Sequence, residues 1–84
     1  MILFQRNFEK QLRKLPREIR GRFDERLHLF VRNKFDPLLN NHSVDYLFLG
    51  CRSLNITGDY RAIFYEHGEI ITFVAIGSHS QLYG

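Results

Sequence analysis

Near the C-terminus of this 84-residue chain, Asp59, Tyr60, Arg61, His79 and Tyr83 place an acid, a fixed cation, a titratable base and two phenols within one short span. These groups suffice, by type, to cut a phosphodiester without a metal ion. His79 can give or take a proton near neutral pH, as attack through a 2′-hydroxyl requires. The Arg61 guanidinium can hold a phosphate and offset the extra charge of a pentacoordinate transition state. Tyr60 and Tyr83 offer faces for base stacking and hydroxyls that donate.

Each residue also has a plainer reading. His79 follows Gly77-Ser78 directly after an apolar strand, where it sits at a sheet edge as part of a cleft or simply as a polar loop residue. Arg61 lies one residue into a short apolar strand, where a charge is costly unless a ligand or a carboxylate such as Glu69 meets it. Asp59 after a glycine is the ordinary turn choice, with orientation of His79 as its second role. The tyrosines could pack at the rim of the sheet. His67 fits a hairpin turn and His28 the polar side of a helix, while His42 lies in a loop that could fold back over the sheet. Four scattered histidines and one cysteine show no metal-ligand spacing, and neither a glycine-rich phosphate loop nor a serine-nucleophile motif is present.

What must position these groups is a small sheet under helices. Ile2 to Phe4 reads as a first strand, and Asn7 as the N-cap of a helix running to about Leu15. Pro16 suits the first turn of a second helix, along which Ile19, Phe23, Leu27, Phe30 and Val31 make an apolar stripe. The two helices should pack as a hairpin on the sheet with their arginines outward. Phe35-Asp36-Pro37 ends the helical region, and residues 36–45 read as a loop or a short turn of helix. Tyr46–Leu49 and Arg52–Thr57 follow as strands. Gly58-Asp59 and His67-Gly68 are turn signals on either side of the next one. Ile70 to Ile76 is apolar on both faces and belongs inside the sheet. The predicted class is α+β: one domain over residues 1–84, two N-terminal helices on an antiparallel sheet of three to four strands.

Composition narrows the partners. The net charge of +3 conceals an asymmetry: residues 1–34 hold ten Lys/Arg against four acids, and residues 35–84 hold two against five. Nine of the twelve cations are arginine, the residue that pairs bidentately with phosphate and carboxylate. Arg13, Lys14, Arg17, Arg20, Arg22 and Arg26 are thus either a grip for a polyanion or a solvated helix face. The apolar run Ile70–Ile76 falls far short of the roughly 20 residues of a membrane-spanning helix. With no secretory signal and a lone Cys51, a reducing cytoplasmic setting and no membrane association are expected.

The run Gly58-Asp59-Tyr60-Arg61-Ala62-Ile63-Phe64-Tyr65, with the ending Gly77-Ser78-His79-Ser80-Gln81-Leu82-Tyr83-Gly84, resembles the RelE/ParE superfamily of bacterial toxins, and within it the YafQ-type branch. The resemblance extends over the whole chain. It implies a type II toxin–antitoxin toxin that cleaves messenger RNA on the ribosome with no cofactor, partnered by an acidic antitoxin in a hetero-oligomer. By this likeness His79 matches the catalytic histidine and Tyr83 the terminal aromatic. Asp59 and Tyr60 match an acid–aromatic pair, His42 a loop histidine, and Arg61 the arginine on the scissile phosphate. Asn55 and Ala75 depart from the branch, which carries a further histidine and an arginine there. The ParE branch implies an alternative, a non-nuclease toxin acting on DNA gyrase. A third is a degenerate toxin that keeps only antitoxin binding.

Overall fold

The computed structural model describes all 84 residues, Met1–Gly84. Strand β1 (Ile2–Phe4) leads into helices α1 (Arg6–Arg13) and α2 (Arg17–Arg32), then a 3-10 turn at Pro37–Leu39. Strands β2 (His42–Ser43), β3 (Arg52–Asn55), β4 (Tyr60–His67) and β5 (Ile70–Ser78) follow, and helix α3 (His79–Tyr83) closes the chain. The strands form one sheet in the order β1-β5-β4-β3-β2. β1 runs parallel to β5, and all other neighbours are antiparallel. The class is α+β as expected, but the sheet has five strands and is mixed, because β1 pairs beside β5 through Ile2–Phe4.

α1 and α2 cover one face. The 3.6-residue period of α2 brings Phe23 and Phe30 to the sheet, with Ile19 and Leu27 packed at the border of the core. Val31, read as part of that stripe, stays 66% exposed and outside the core. Phe8 from α1 joins Phe64 and Phe73 from the strands, all three with no exposed surface. Phe73 is the hub, with ring centroids 5.5–6.0 Å from Phe4, Phe8, Phe23, Phe30 and Phe64. Burial of each such ring contributes about 1.5–3 kcal/mol.

A one-residue slip sets what the other face presents. Phe64 lies opposite Phe73, yet Ile63 lies opposite Ala75, so Val74 is extra. Phe73 and Ile76, three residues apart, therefore both join the helix-side core, and Ala75 turns to the opposite side. Beyond Phe73, β1 no longer flanks β5. Side chains close that edge instead: Asn7 Nδ2 donates to the Val74 carbonyl at 3.4 Å, and Gln11 Oε1 accepts from Ile76 N–H at 2.9 Å.

Several expected boundaries move. α1 starts after Gln5, with Asn7 inside the helix, and it ends at Arg13 rather than Leu15. Pro16 occupies the N-cap of α2, one place before the first turn. Tyr46–Leu49 is a turn, closed by Leu47 and Phe48 N–H donating to the Val44 carbonyl, which leaves Tyr46 77% exposed. β3 stops at Asn55, and the β4–β5 connection is Gly68-Glu69, with Gly68 at a left-handed φ of 61°. The polar ending folds as α3.

Candidate active site on the open face of the sheet

Opposite the helices, strand register creates two rows of side chains. His42, Ser53, Ile63 and Ala75 lie abreast on β2, β3, β4 and β5, and Asn55, Arg61 and Gly77 form the next row. Directly opposed residues on antiparallel strands share a face, their β-carbons about 4.5–5.5 Å apart. Beneath these rows sits a second, smaller apolar cluster of Val44, Cys51, Ile63 and Ala75, bordered by Phe48, Leu82 and Tyr83. Burial first, and the Asp45 carboxylate second, push the Cys51 thiol up, away from the reactive thiolate.

α3 lies across Gly77. A β-carbon there would meet Gln81 Oε1 at 2.9 Å and Leu82 Cγ at 3.6 Å, so a larger residue would have to displace the Gln81 side chain. The helix starts with a capping box: Ser78 Oγ accepts from Gln81 N–H at 3.2 Å, and Gln81 Oε1 accepts from Ser78 N–H at 2.8 Å. His79 is exposed, and its N–H donates to the Asp59 carbonyl at 2.8 Å, which ties α3 to the β3–β4 loop. One turn later the Tyr83 ring stands edge-on to His79 at 4.7 Å, and its hydroxyl donates to the buried Ser53 Oγ at 3.4 Å.

The open face thus carries an unbroken file of His42, Ser53, Tyr83 and His79. His42 Nδ1 lies 2.6 Å from the Asn40 carbonyl oxygen. A carbonyl only accepts, so Nδ1 is the donor, and in the neutral ring Nε2 is the nitrogen with the lone pair.

Arg61 sits beside this file, half-buried, with Nη1 donating to the carbonyls of Thr57 (2.9 Å) and Tyr60 (3.1 Å). No carboxylate pairs with it, because the one ion pair in the chain joins Lys34 to Glu66 at 2.8 Å. The expected pairing with Glu69 fails on distance along the strand: Glu69 follows the far end of β4, and Arg61 is opposed by Asn55 and Gly77. The expected tight Gly58-Asp59 turn is instead a four-residue loop, Ile56–Asp59. Thr57 Oγ1 organises it, accepting from Asp59 N–H at 3.3 Å and Tyr60 N–H at 3.1 Å.

Not every expected residue reaches this face. Asp59 touches His79 through its backbone carbonyl, and its exposed carboxylate makes no hydrogen bond. Tyr60 turns to the helix side and packs against the phenylalanine core. Arg13, Lys14, Arg17, Arg20 and Arg22 are exposed on or between α1 and α2, and Arg26 on α2 is half-buried, so these six cations are carried by the helical layer and not on the open face. Arg17 and Arg20 line a groove with Phe4, Phe23 and Leu27, Lys14 borders Ile76 and Gln81, and Arg22 and Arg26 reach Thr57 and Gly58. Ser53, which links His42 and Tyr83 in this file, was not singled out as a candidate by sequence reasoning. Its one signal was polar alternation with Leu54 along β3. No three His, Cys, Asp or Glu side chains converge as a metal-ligand set. No helix is long and apolar enough to cross a membrane.

Comparison with known proteins adds a family and a fold. The family model of the ParE toxin of the type II toxin–antitoxin system parDE matches residues 2–83. Among solved structures, YafQ from Escherichia coli strain BL21(DE3) superposes with a TM-score of 0.85 at 16% identity, over 100% of this chain and 98% of that one. The E. coli DinJ–YafQ toxin–antitoxin complex gives a TM-score of 0.82 at 16% identity over 100% and 97% of the two chains. The RelB–RelE antitoxin–toxin complex from Methanococcus jannaschii gives 0.77 at 20% identity over 96% and 94%. At these identities the likeness is one of fold. No curated protein sequence is a significant match.

Proposed function

Because the chain belongs to the ParE toxin family of type II toxin–antitoxin systems, within the RelE/ParE superfamily, we propose that its open face is the active site of an endoribonuclease that cuts messenger RNA on the ribosome. The observation that carries this reading is the file of His42, Ser53, Tyr83 and His79 beside an arginine with no carboxylate partner. Two imidazoles flank the face, and one of them has a free lone pair.

In the proposed reaction the substrate 2′-hydroxyl attacks the adjacent phosphorus. Its proton passes to His42 Nε2; Asp59, whose exposed carboxylate makes no hydrogen bond, serves by holding His79 N–H through its backbone carbonyl. The 2′-oxygen–phosphorus bond forms as the bond to the 5′-oxygen breaks, and His79 protonates that leaving oxygen. The products are a 2′,3′-cyclic phosphate and a free 5′-hydroxyl. Arg61 offsets the charge of the phosphorane, and Tyr83 stacks a base. The antitoxin would be an acidic segment that binds the basic helices and orders as it binds. The solved DinJ–YafQ and RelB–RelE structures are toxin–antitoxin complexes, which supports an antitoxin partner here.

A second reading is favoured by the family model itself, which is that of ParE: a toxin that acts on DNA gyrase and leaves RNA intact. Induction in bacteria separates the two. The nuclease reading expects translation to stop, with transcripts cut inside coding regions and cyclic phosphates at the new ends. Intact transcripts with a DNA-damage response would replace it with the gyrase reading.

A further inference from the structure

Around the end of the sheet from His79, α2 and the β3–β4 loop enclose a cleft of about 360 Å³. Arg22 and Arg26, one helical turn apart on the same side of α2, line it together with Thr57 and Gly58. Arg26 Nε is shielded from solvent and has no hydrogen-bond partner. A buried charged donor left unpaired is costly, so such a group marks a place where a ligand supplies the acceptor. Gly58 N–H makes no hydrogen bond within the chain, and the space a β-carbon would take there is open for 4 Å, so a ligand can approach the backbone. Thr57 Oγ1 accepts two backbone N–H groups, which leaves its hydroxyl proton to donate outward. Glu18 is the one acid lining the cleft, and it forms no ion pair with Arg22.

Four donor groups of three kinds around one small space fit an anion with several oxygens. The loop that forms this wall is also the loop whose Thr57 carbonyl holds Arg61 and whose Asp59 carbonyl holds His79. We infer that the cleft is a subsite for a backbone phosphate of the RNA strand, adjoining the nucleotide held on the open face. The inference rests on the ribonuclease reading for its ligand, but the anion site itself does not depend on cleavage. It also gives the basic residues separate work, since Arg22 and Arg26 would follow the RNA while Arg17 and Arg20 line a different groove.

The test is NMR titration of the full chain, watching Gly58 N–H and Arg26 Nε–H. The first probe is inorganic phosphate. The second is a short single-stranded RNA carrying 2′-deoxy substitutions that block attack. Both probes should give saturable shifts at these two groups, and the Gly58 N–H shift should be lost in Arg26→Gln and kept in Arg32→Gln. In Arg26→Gln the RNA affinity should fall several-fold, with the salt-dependence slope reduced by ~0.7 for the one lost contact. Silence of Gly58 and Arg26 toward both probes, or shifts unchanged in Arg26→Gln, overturns the subsite even where transcripts are cut. Response to phosphate but not to RNA overturns the assignment of the ligand. Response to both in a protein that cuts no transcript leaves the subsite standing and removes the nuclease mechanism.

Discussion

The two faces of the sheet solve opposite problems. The helix-covered face buries ten residues around Phe73, and its neighbours are rings and aliphatics with no polar group to satisfy. The open face buries only four hydrophobic residues in its cluster, and above them lie Ser53, Asn55, Arg61, Tyr83 and His79. Asn55 Oδ1 is even left buried without a partner, a cost of about 1–3 kcal/mol that the phenylalanine cluster does not carry; on the helix side the one such atom is Arg26 Nε, at the end of the sheet. Stability is concentrated on one side, so the other can hold polar groups in positions that folding alone would not favour.

Substitutions on each face should therefore fail in different ways. The largest effect belongs to Phe73→Ala, which removes the hub of the aromatic cluster and should cost about 3–5 kcal/mol of stability. Chemical denaturation would read it, and all activities should fall together with the folded fraction. A loss below ~1 kcal/mol would mean that the cluster is not the scaffold it looks to be.

Next is Gly77→Ala on the open face. The new β-carbon cannot coexist with Gln81 Oε1, which is already committed to Ser78 N–H. Strain of about 1–3 kcal/mol is expected, relieved by moving α3 together with His79 and Tyr83. Cleavage should drop far more than the folded population, and equal activity in a stable Gly77→Ala protein would detach α3 from the chemistry.

Smaller still is Arg61→Lys. It keeps the charge and loses the fork, so it should lower the cleavage rate about tenfold, or ~1.4 kcal/mol, with the denaturation midpoint nearly unmoved. An unchanged rate would make Arg61 a structural cation held by Thr57 and Tyr60. The smallest effect is expected at the Lys34–Glu66 pair, where Lys34→Ala should cost about 0–1 kcal/mol and leave cleavage intact.

The helix face was the more legible in the sequence. Phe23, Leu27 and Phe30 announce α2 through a local period, and Ile70–Ile76 announces an interior strand through apolar residues on both faces, interrupted only by Thr72. Tyr46–Leu49 misled for the same reason in reverse. Its apolar residues suggested a strand, but the Val44 carbonyl closes a turn that leaves Tyr46 and Leu49 in solvent. On the open face, His79, Tyr83, Arg61 and His42 were recognisable by type and by resemblance. The side on which each lies was not. Tyr60 and Arg61 take their sides from the Thr57-centred loop, and Gly77 takes its side from the Val74 bulge. Neither device has a period to read. α3 left one trace, Ser78 three residues before Gln81, but five helical residues are too few to show a face.

The central claim is that the open face performs proton transfer and is dispensable for folding, and His79→Gln tests it most directly. His79 is exposed and glutamine keeps a hydrogen-bonding side chain, so stability should change by less than ~0.5 kcal/mol. Loss of a general acid should lower RNA cleavage by roughly a hundredfold or more, abolishing toxicity at modest expression while antitoxin still binds the untouched helices. A stable His79→Gln protein that stays fully toxic, with cellular transcripts intact before and after the substitution, would contradict the account.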